Sequence, residues 1–129
     1  MVLNLLLKIG NLVKDTNYSK SHKMMYIKKS QDYFDRFKNK DIKGLSHLYS
    51  SDIHLVDWDI NIKGREEVLN ANAGLFDLDF TLDVHTIYHS NDKTFNEITI
   101  TIGEEKLEIM DVITFNENYQ ITNITAYKR

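Results

Sequence analysis

Four segments in the second half of the chain constrain the fold more than anything else in it. Leu82–His89, Thr94–Ile102, Lys106–Asn116 and Tyr119–Tyr127 are rich in Ile, Val, Thr, Tyr and Phe. They are separated only by Ser90-Asn91-Asp92, Gly103-Glu104-Glu105 and Glu117-Asn118. Connections that short join antiparallel neighbours, so the segments predict a meander of four strands. Before Asp79 the periodicity is helical instead. Ile27, Phe34 and Phe37 fall near one face of a helix over about 21–38, with Tyr26, Ser30 and Tyr33 beside it. A short helix follows over about 41–49, with Asp41 as its N-cap and Leu45, Leu48 and Tyr49 on its apolar side. Ile53–Asp59 alternates like a strand, and Arg65–Phe76 reads as a third helix with Val68, Leu69, Asn72, Leu75 and Phe76 toward the core. Helices near 25–38, 41–49 and 64–76 then cover one face of a strongly bent antiparallel sheet, an α+β domain.

The 129 residues suit one domain with one core. A net charge of -3 with both signs interspersed, and no basic face, argues against nucleic acid as a partner. The chain has no cysteine, which removes disulfides, thiolate nucleophiles and Cys-ligated metals and fits a cytoplasmic location. The five histidines show no metal-ligand spacing, and no phosphate loop, nucleophile elbow or HExxH motif occurs, so neither metal nor cofactor is expected.

Residues 2–13 are apolar at helical spacing, but the run is too short and too interrupted to span a bilayer, and no membrane partner is expected. It is read as an amphipathic helix packed on the domain or on a partner subunit. The polar stretch after it reads as a linker, which places an N-terminal extension at 1–20 and the domain at 21–129. A second reading starts the chain at Met24 or Met25.

The third late strand carries the chemistry. Leu107, Ile109, Asp111, Ile113 and Phe115 share one of its faces, and the carboxyl at the centre is the exception. A carboxylate placed there loses hydration. Either it has a hydrogen-bond partner, or it keeps its proton, or it lines a cavity. In the earlier strand Asp57 likewise ends the face of Ile53 and Leu55. A phenol, Tyr33, lies beside the apolar face of the first helix.

The stretch YFDRFKNKDIKGLSHLYSSDIHLVDWDINIKGREEV and the closing MDVITFNENYQITNITAYK resemble the SnoaL-like and ketosteroid isomerase-like branch of the nuclear transport factor 2-like superfamily. The resemblance covers about 25–129. It implies a cystatin-like cone in which three helices close a pocket around a bent sheet. By position relative to Asp41 it casts Tyr33 as an oxyanion donor and Asp57 as the general base, with Asp111 as second donor. Trp58 stands where the isomerases carry proline. Leu55, Trp58, Phe76, Ile109 and Ile113 are expected to line the ligand. The implied partner is a small hydrophobic or carbonyl-bearing molecule. The implied activity is that of an isomerase, cyclase or dehydratase; the alternative is a non-catalytic binding or association module of the same fold. In dehydratases of this superfamily histidines pair with aspartates, a part open to His54 or His85. Ile98, Ile100 and Ile102, with Met110 and Val112, are read as an apolar row on the outer sheet face, through which the chain forms a homodimer.

Overall fold

Each strand of a hairpin sets the facing of the next, and this rule explains most of the architecture. In the computed structural model, residues 2–129 are described, with side chains described from residue 20 onward. The order is α1 (Val2–Lys38), α2 (Ile42–Leu48), β1 (Tyr49–Val56), β2 (Asn61–Lys63), α3 (Arg65–Phe76), β3 (Phe80–Ser90), β4 (Lys93–Ile102), β5 (Glu105–Phe115) and β6 (Ile121–Lys128). The expected linker does not interrupt the first helix. With no proline in the chain, residues such as Asn17 and Ser19 weaken a helix without breaking it. The apolar face expected within 2–13 lies outside the described side chains.

Helix α1 stops where Lys40 takes a positive φ of 54°. Lys40 N donates to Phe37 O and Asp41 N to Arg36 O, the paired bonds of a Schellman end. Asp41 then caps α2, its carboxylate accepting from Gly44 N at 2.9 Å. This tight junction turns the chain so that α2 packs against α1 and α3.

The six strands form one curled, open sheet in the order β2-β1-β6-β5-β4-β3. Every neighbouring pair is antiparallel except β1 with β6, which run parallel, so the sheet is mixed at that single seam. Irregularities in pairing fall between Tyr49 and His54, Val84 and Thr86, and Thr114 and Phe115. Such bulges sharpen twist and let the sheet bend around its contents. The helices cover the concave face: α1 packs on β3 and β4, and α3 on β1 and β2. Tyr33, Phe34 and Phe37 of α1, Leu45 and Leu48 of α2, and Val68 and Phe76 of α3 are buried there against Ile98, Ile109, Ile113, Phe115 and Ile124.

The outer-face row is corrected by this register. Cross-strand partners share a face. Ile98 pairs with Ile109, Ile100 with Leu107, and Asn96 with Asp111. The even-numbered residues of β4 therefore stand beside the inward residues of β5. The cause is the tight turn at Gly103-Glu104, which pairs Ile102 with Glu105 and fixes the phase of the hairpin. Ile98, Ile100 and Ile102 point inward, while Met110 and Val112 remain outside with Phe95 as the cross-strand partner of Val112.

Candidate functional site

The wide end of the concave face is not filled. A cavity of about 260 Å³ remains between α1, α3 and the sheet. Tyr33, Asp57 and Asp111 all line it, so one space holds the three groups singled out from the sequence. The parity of β5 carries Asp111 there. Its inward neighbours Ile109 and Ile113 are buried, and Asp111 itself is only 7% exposed. Asp57 arrives from the end of β1, one residue past its last strand position. Tyr33 arrives from α1, one turn before Phe37, which also lines the cavity.

Asp57 is held by its own turn. Its Oδ1 accepts from Asp59 N at 2.7 Å and from Ile60 N at 2.8 Å, and its N–H donates to Ile60 O at 2.9 Å. Two backbone amide donors to one carboxyl oxygen fix its position at the cavity. Asp111 has a different environment. Burial, and next the charge of Asp57, push its carboxyl up to about 7. Among the described residues no hydrogen bond offsets this rise. Like charges in one weakly polar space oppose each other, so the more buried Asp111 holds its proton up to about pH 7.

Tyr33 belongs to a chain of polar groups. Its hydroxyl is hydrogen-bonded to that of Tyr49. Tyr49 Oη donates to Asn72 Oδ1 at 2.7 Å. Burial, the Tyr49 phenol and the nearby Asp111 carboxyl raise the Tyr33 phenol well above its ordinary value, so Tyr33 keeps its proton. Burial raises Tyr49 too. The deep end of the cavity thus offers two phenols and, below about pH 7, a protonated carboxyl, opposite the Asp57 carboxyl held in place by backbone amides.

Of the expected ligand contacts, Leu55, Trp58 and Ile109 line the cavity. Phe76 and Ile113 do not. Phe76 is in the core between Phe37 and Phe80, at ring-centroid distances of 4.9 and 6.0 Å, and Ile113 is fully buried. Tyr49, Asn72, Ile100 and Ile102 line the cavity although the sequence did not mark them as site residues. A signal for Asn72 was present: it is a polar residue on the core face of α3, just as Asp111 is on β5. The histidines with a conceivable part stand elsewhere. His85 bonds Thr99 Oγ1 at 2.7 Å, and His54 bonds Asn61 Oδ1; neither lines the cavity. Among the described residues no cluster of three or more ionisable groups suits a metal ion. Nor is any helix among them long and apolar enough to cross a membrane.

The profile of the SnoaL-like domain matches residues 30–124, well over half of the chain. The chain belongs to that family. No curated protein matches it. Solved structures share the fold of this SnoaL-like protein at low identity. A proposed ketosteroid isomerase from Kribbella flavida superposes with a TM-score of 0.76 at 17% identity, over 82% of this chain and 78% of its own. An NTF2-like protein of unknown function from Cytophaga hutchinsonii gives 0.72 at 10% identity, over 81% and 89%. A steroid delta-isomerase from Pseudomonas aeruginosa gives 0.70 at 16% identity, over 81% and 80%. At such identities the likeness is one of fold, and one fold hosts many chemistries.

Proposed function

We propose that this SnoaL-like protein binds a small carbonyl compound and moves a proton next to its carbonyl group. The observation that carries the reading is the shared cavity: Asp57, its Oδ1 fixed by two amides, faces the same space as a buried Asp111 pushed up to about 7. In the proposed reaction the Asp57 carboxylate removes a proton from the carbon between a carbonyl and an isolated double bond. The electron pair passes to the carbonyl oxygen, giving a dienolate. Asp111 and Tyr33 hold that oxygen by hydrogen bonds. Asp57 returns the proton two carbons further along, leaving the conjugated ketone. Ketosteroid isomerases work by this pattern, a carboxylate base opposite a carboxyl kept neutral so that it can donate.

Tyr33 reaches the oxygen as donor only if its bond with Tyr49 runs the other way. A half-turn of the Asn72 carboxamide would do this. Asn72 Nδ2 would donate to Tyr49, Tyr49 to Tyr33, and Tyr33 into the cavity. Until that happens Asp111 is the donor available to a ligand, which supports a second reading in which the cavity binds a carbonyl or hydroxyl compound without turnover.

The test is the conversion of a β,γ-unsaturated cyclic ketone to its conjugated isomer, followed by ultraviolet absorbance. Wild type should catalyse it, and Asp57→Asn should lose about 10²- to 10⁴-fold in rate while still binding ligand. Equal rates for the two proteins would leave the binding reading in its place.

Homodimerisation now rests on a smaller outer surface than the isoleucine row. Phe95, Met110 and Val112 are half-buried there, and Tyr88 and Tyr127 are 52% and 60% exposed. Light scattering at micromolar concentration should report a dimer, and a monomer would end the proposal.

A further inference from the structure

The mouth of the cavity is built differently from its walls. Trp58 and Ile60 line the cavity, yet 40% and 36% of their surfaces stay exposed. Both belong to the turn between β1 and β2, the one that the Asp57 carboxylate pins through Asp59 N and Ile60 N. Trp58 therefore sits on a braced turn and not on a free loop. A second brace comes from the far side. Lys128 Nζ lies over the indole, 5.1 Å from the ring centroid. Lys128 is two residues past Ala126 on β6, and Ala126 lines the cavity; in register Lys128 faces Ile109. Among the described residues Lys128 makes no ion pair, so the indole is the partner of its charge there. A cation over an exposed indole biases the side chain without locking it.

The volume behind Trp58 is small. About 260 Å³ lies below the usual range for drug-sized ligands. A two-ring skeleton fits that space, whereas a four-ring skeleton extends through the mouth, into the position of the indole. The walls from Ile100, Ile102 and Leu107 are aliphatic and offer no side-chain partner to a polar body. The hydrogen-bonding groups are gathered at Tyr33, Tyr49, Asn72 and Asp111.

We propose that Trp58, braced by Lys128, is a size-determining residue that closes the cavity over an uncharged ligand of one or two rings and turns away longer polycyclic ones. The direction in which the ligand enters, oxygen first, rests on the proton-transfer reading; the size limit does not. Calorimetric titration of the full chain tests it with two phenols whose oxygens stand in for the enolate oxygen, 2-naphthol with two rings and estradiol with four. Wild type should bind 2-naphthol at least tenfold more tightly than estradiol. Trp58→Ala should raise estradiol affinity at least tenfold and leave 2-naphthol within threefold. Lys128→Met, a surface change that keeps the indole, should move the ratio part of the way in the same direction. Circular dichroism checks that each variant is folded. Equal binding of the two phenols by wild type, an unchanged ratio in Trp58→Ala, or no binding of either phenol would each overturn the size gate. If the ratio fails while Asp57-dependent isomerisation is present, only the gate falls. If the ratio holds and no cyclic ketone is isomerised, only the proton-transfer reading falls.

Discussion

Asn96 and Asp111 are cross-strand partners on one face of one hairpin, yet they live in two different regions of the molecule. Asn96 belongs to the filled end of the concave face. It is fully buried, and its Nδ2 donates to Thr94 Oγ1 at 3.0 Å and to the backbone O of Asp111 at 2.9 Å. Thr94 Oγ1 in turn bonds Ser30 Oγ of α1 at 2.7 Å. This network ties the helix to the sheet, although Asn96 Oδ1 is left without a donor. Asp111 belongs to the hollow end. Its carboxyl borders the cavity, and burial raises it with no hydrogen bond among the described residues to lower it. Both residues interrupt an inward apolar row. One is structural because its neighbours take up its amide hydrogens; the other keeps unspent bonding capacity because its neighbours leave space. Open volume, more than polarity, separates a candidate site from a core polar contact.

The comparison breaks most decisively at Asp111. Its carboxyl is about 7 in the folded chain against 3.8 as the ordinary value. The folded state therefore binds the proton more tightly than the unfolded state, and unfolded chains release it first as pH rises. Below about 4 both states are protonated and the residue contributes no pH dependence. From there to about 7 stability falls, and above 7 the loss is complete. A shift of that size corresponds to about 4 kcal/mol as an order of magnitude. Asp111→Asn should match wild type in urea unfolding at pH 4 and exceed it by a few kcal/mol at pH 8. Equal stabilities at pH 8 would mean that Asp111 ionises freely. Asp57→Asn sharpens the same point. It removes the second cause of the shift and keeps the first, so the Asp111 midpoint in a carboxyl NMR titration should move down yet stay above 3.8.

The filled end should respond to hydrogen-bond loss instead. Thr94→Val keeps shape and removes the hydroxyl that Ser30 and Asn96 share. Two buried groups lose a partner, a cost of roughly 2–4 kcal/mol with little pH dependence between 4 and 8. Ligand affinity should not change, since none of the three lines the cavity. A ligand-binding defect in a folded Thr94→Val would show that the two ends are not separate.

These two regions were not equally legible in the sequence. The helices at α2 and α3, the four late strands and the inward face of β5 follow from periodicity alone. Parity turned Asp57 and Asp111 toward the covered face, and Tyr33 was marked by the family resemblance, as the tyrosine eight positions before Asp41. Strand β4 resisted. It has Ile98, Ile100 and Ile102 on one face and Phe95, Thr99 and Thr101 on the other, so both faces suit a strand and neither declares itself the core side. Only the hairpin register with β5 decides. The short β2 carries too few residues for any period. Phe76 and Ile113 were correctly inward but were placed against the ligand, because alternation tells the side of a sheet and not the depth at which helices stop filling it. Tyr49 sits where α2 passes into β1, and reading it as the last helical residue hid its hydroxyl from the site.

Tyr49→Phe is the finest probe of the difference between the ends. It deletes a buried hydroxyl, as Thr94→Val does, and it also orphans two groups, Asn72 Oδ1 and the Tyr33 hydroxyl. Counting bonds alone would make the two substitutions equal. The surroundings are not equal. Tyr33, Tyr49 and Asn72 border the cavity, whereas Ser30, Thr94 and Asn96 are fully buried away from it. Water admitted to the cavity can serve the groups that Tyr49→Phe exposes, since the space is polar at that end and larger than one molecule. Thr94 is fully buried and does not border that cavity. The cost of Tyr49→Phe should therefore fall to about 1 kcal/mol, below that of Thr94→Val. Isomerisation, where present, should slow as well, because Tyr33 loses the neighbour that can turn its proton toward the ligand. Chemical unfolding of the two variants side by side decides the matter. If Tyr49→Phe costs as much as Thr94→Val, the hollow end holds its polar groups as rigidly and as dry as the filled end, and open volume ceases to distinguish them.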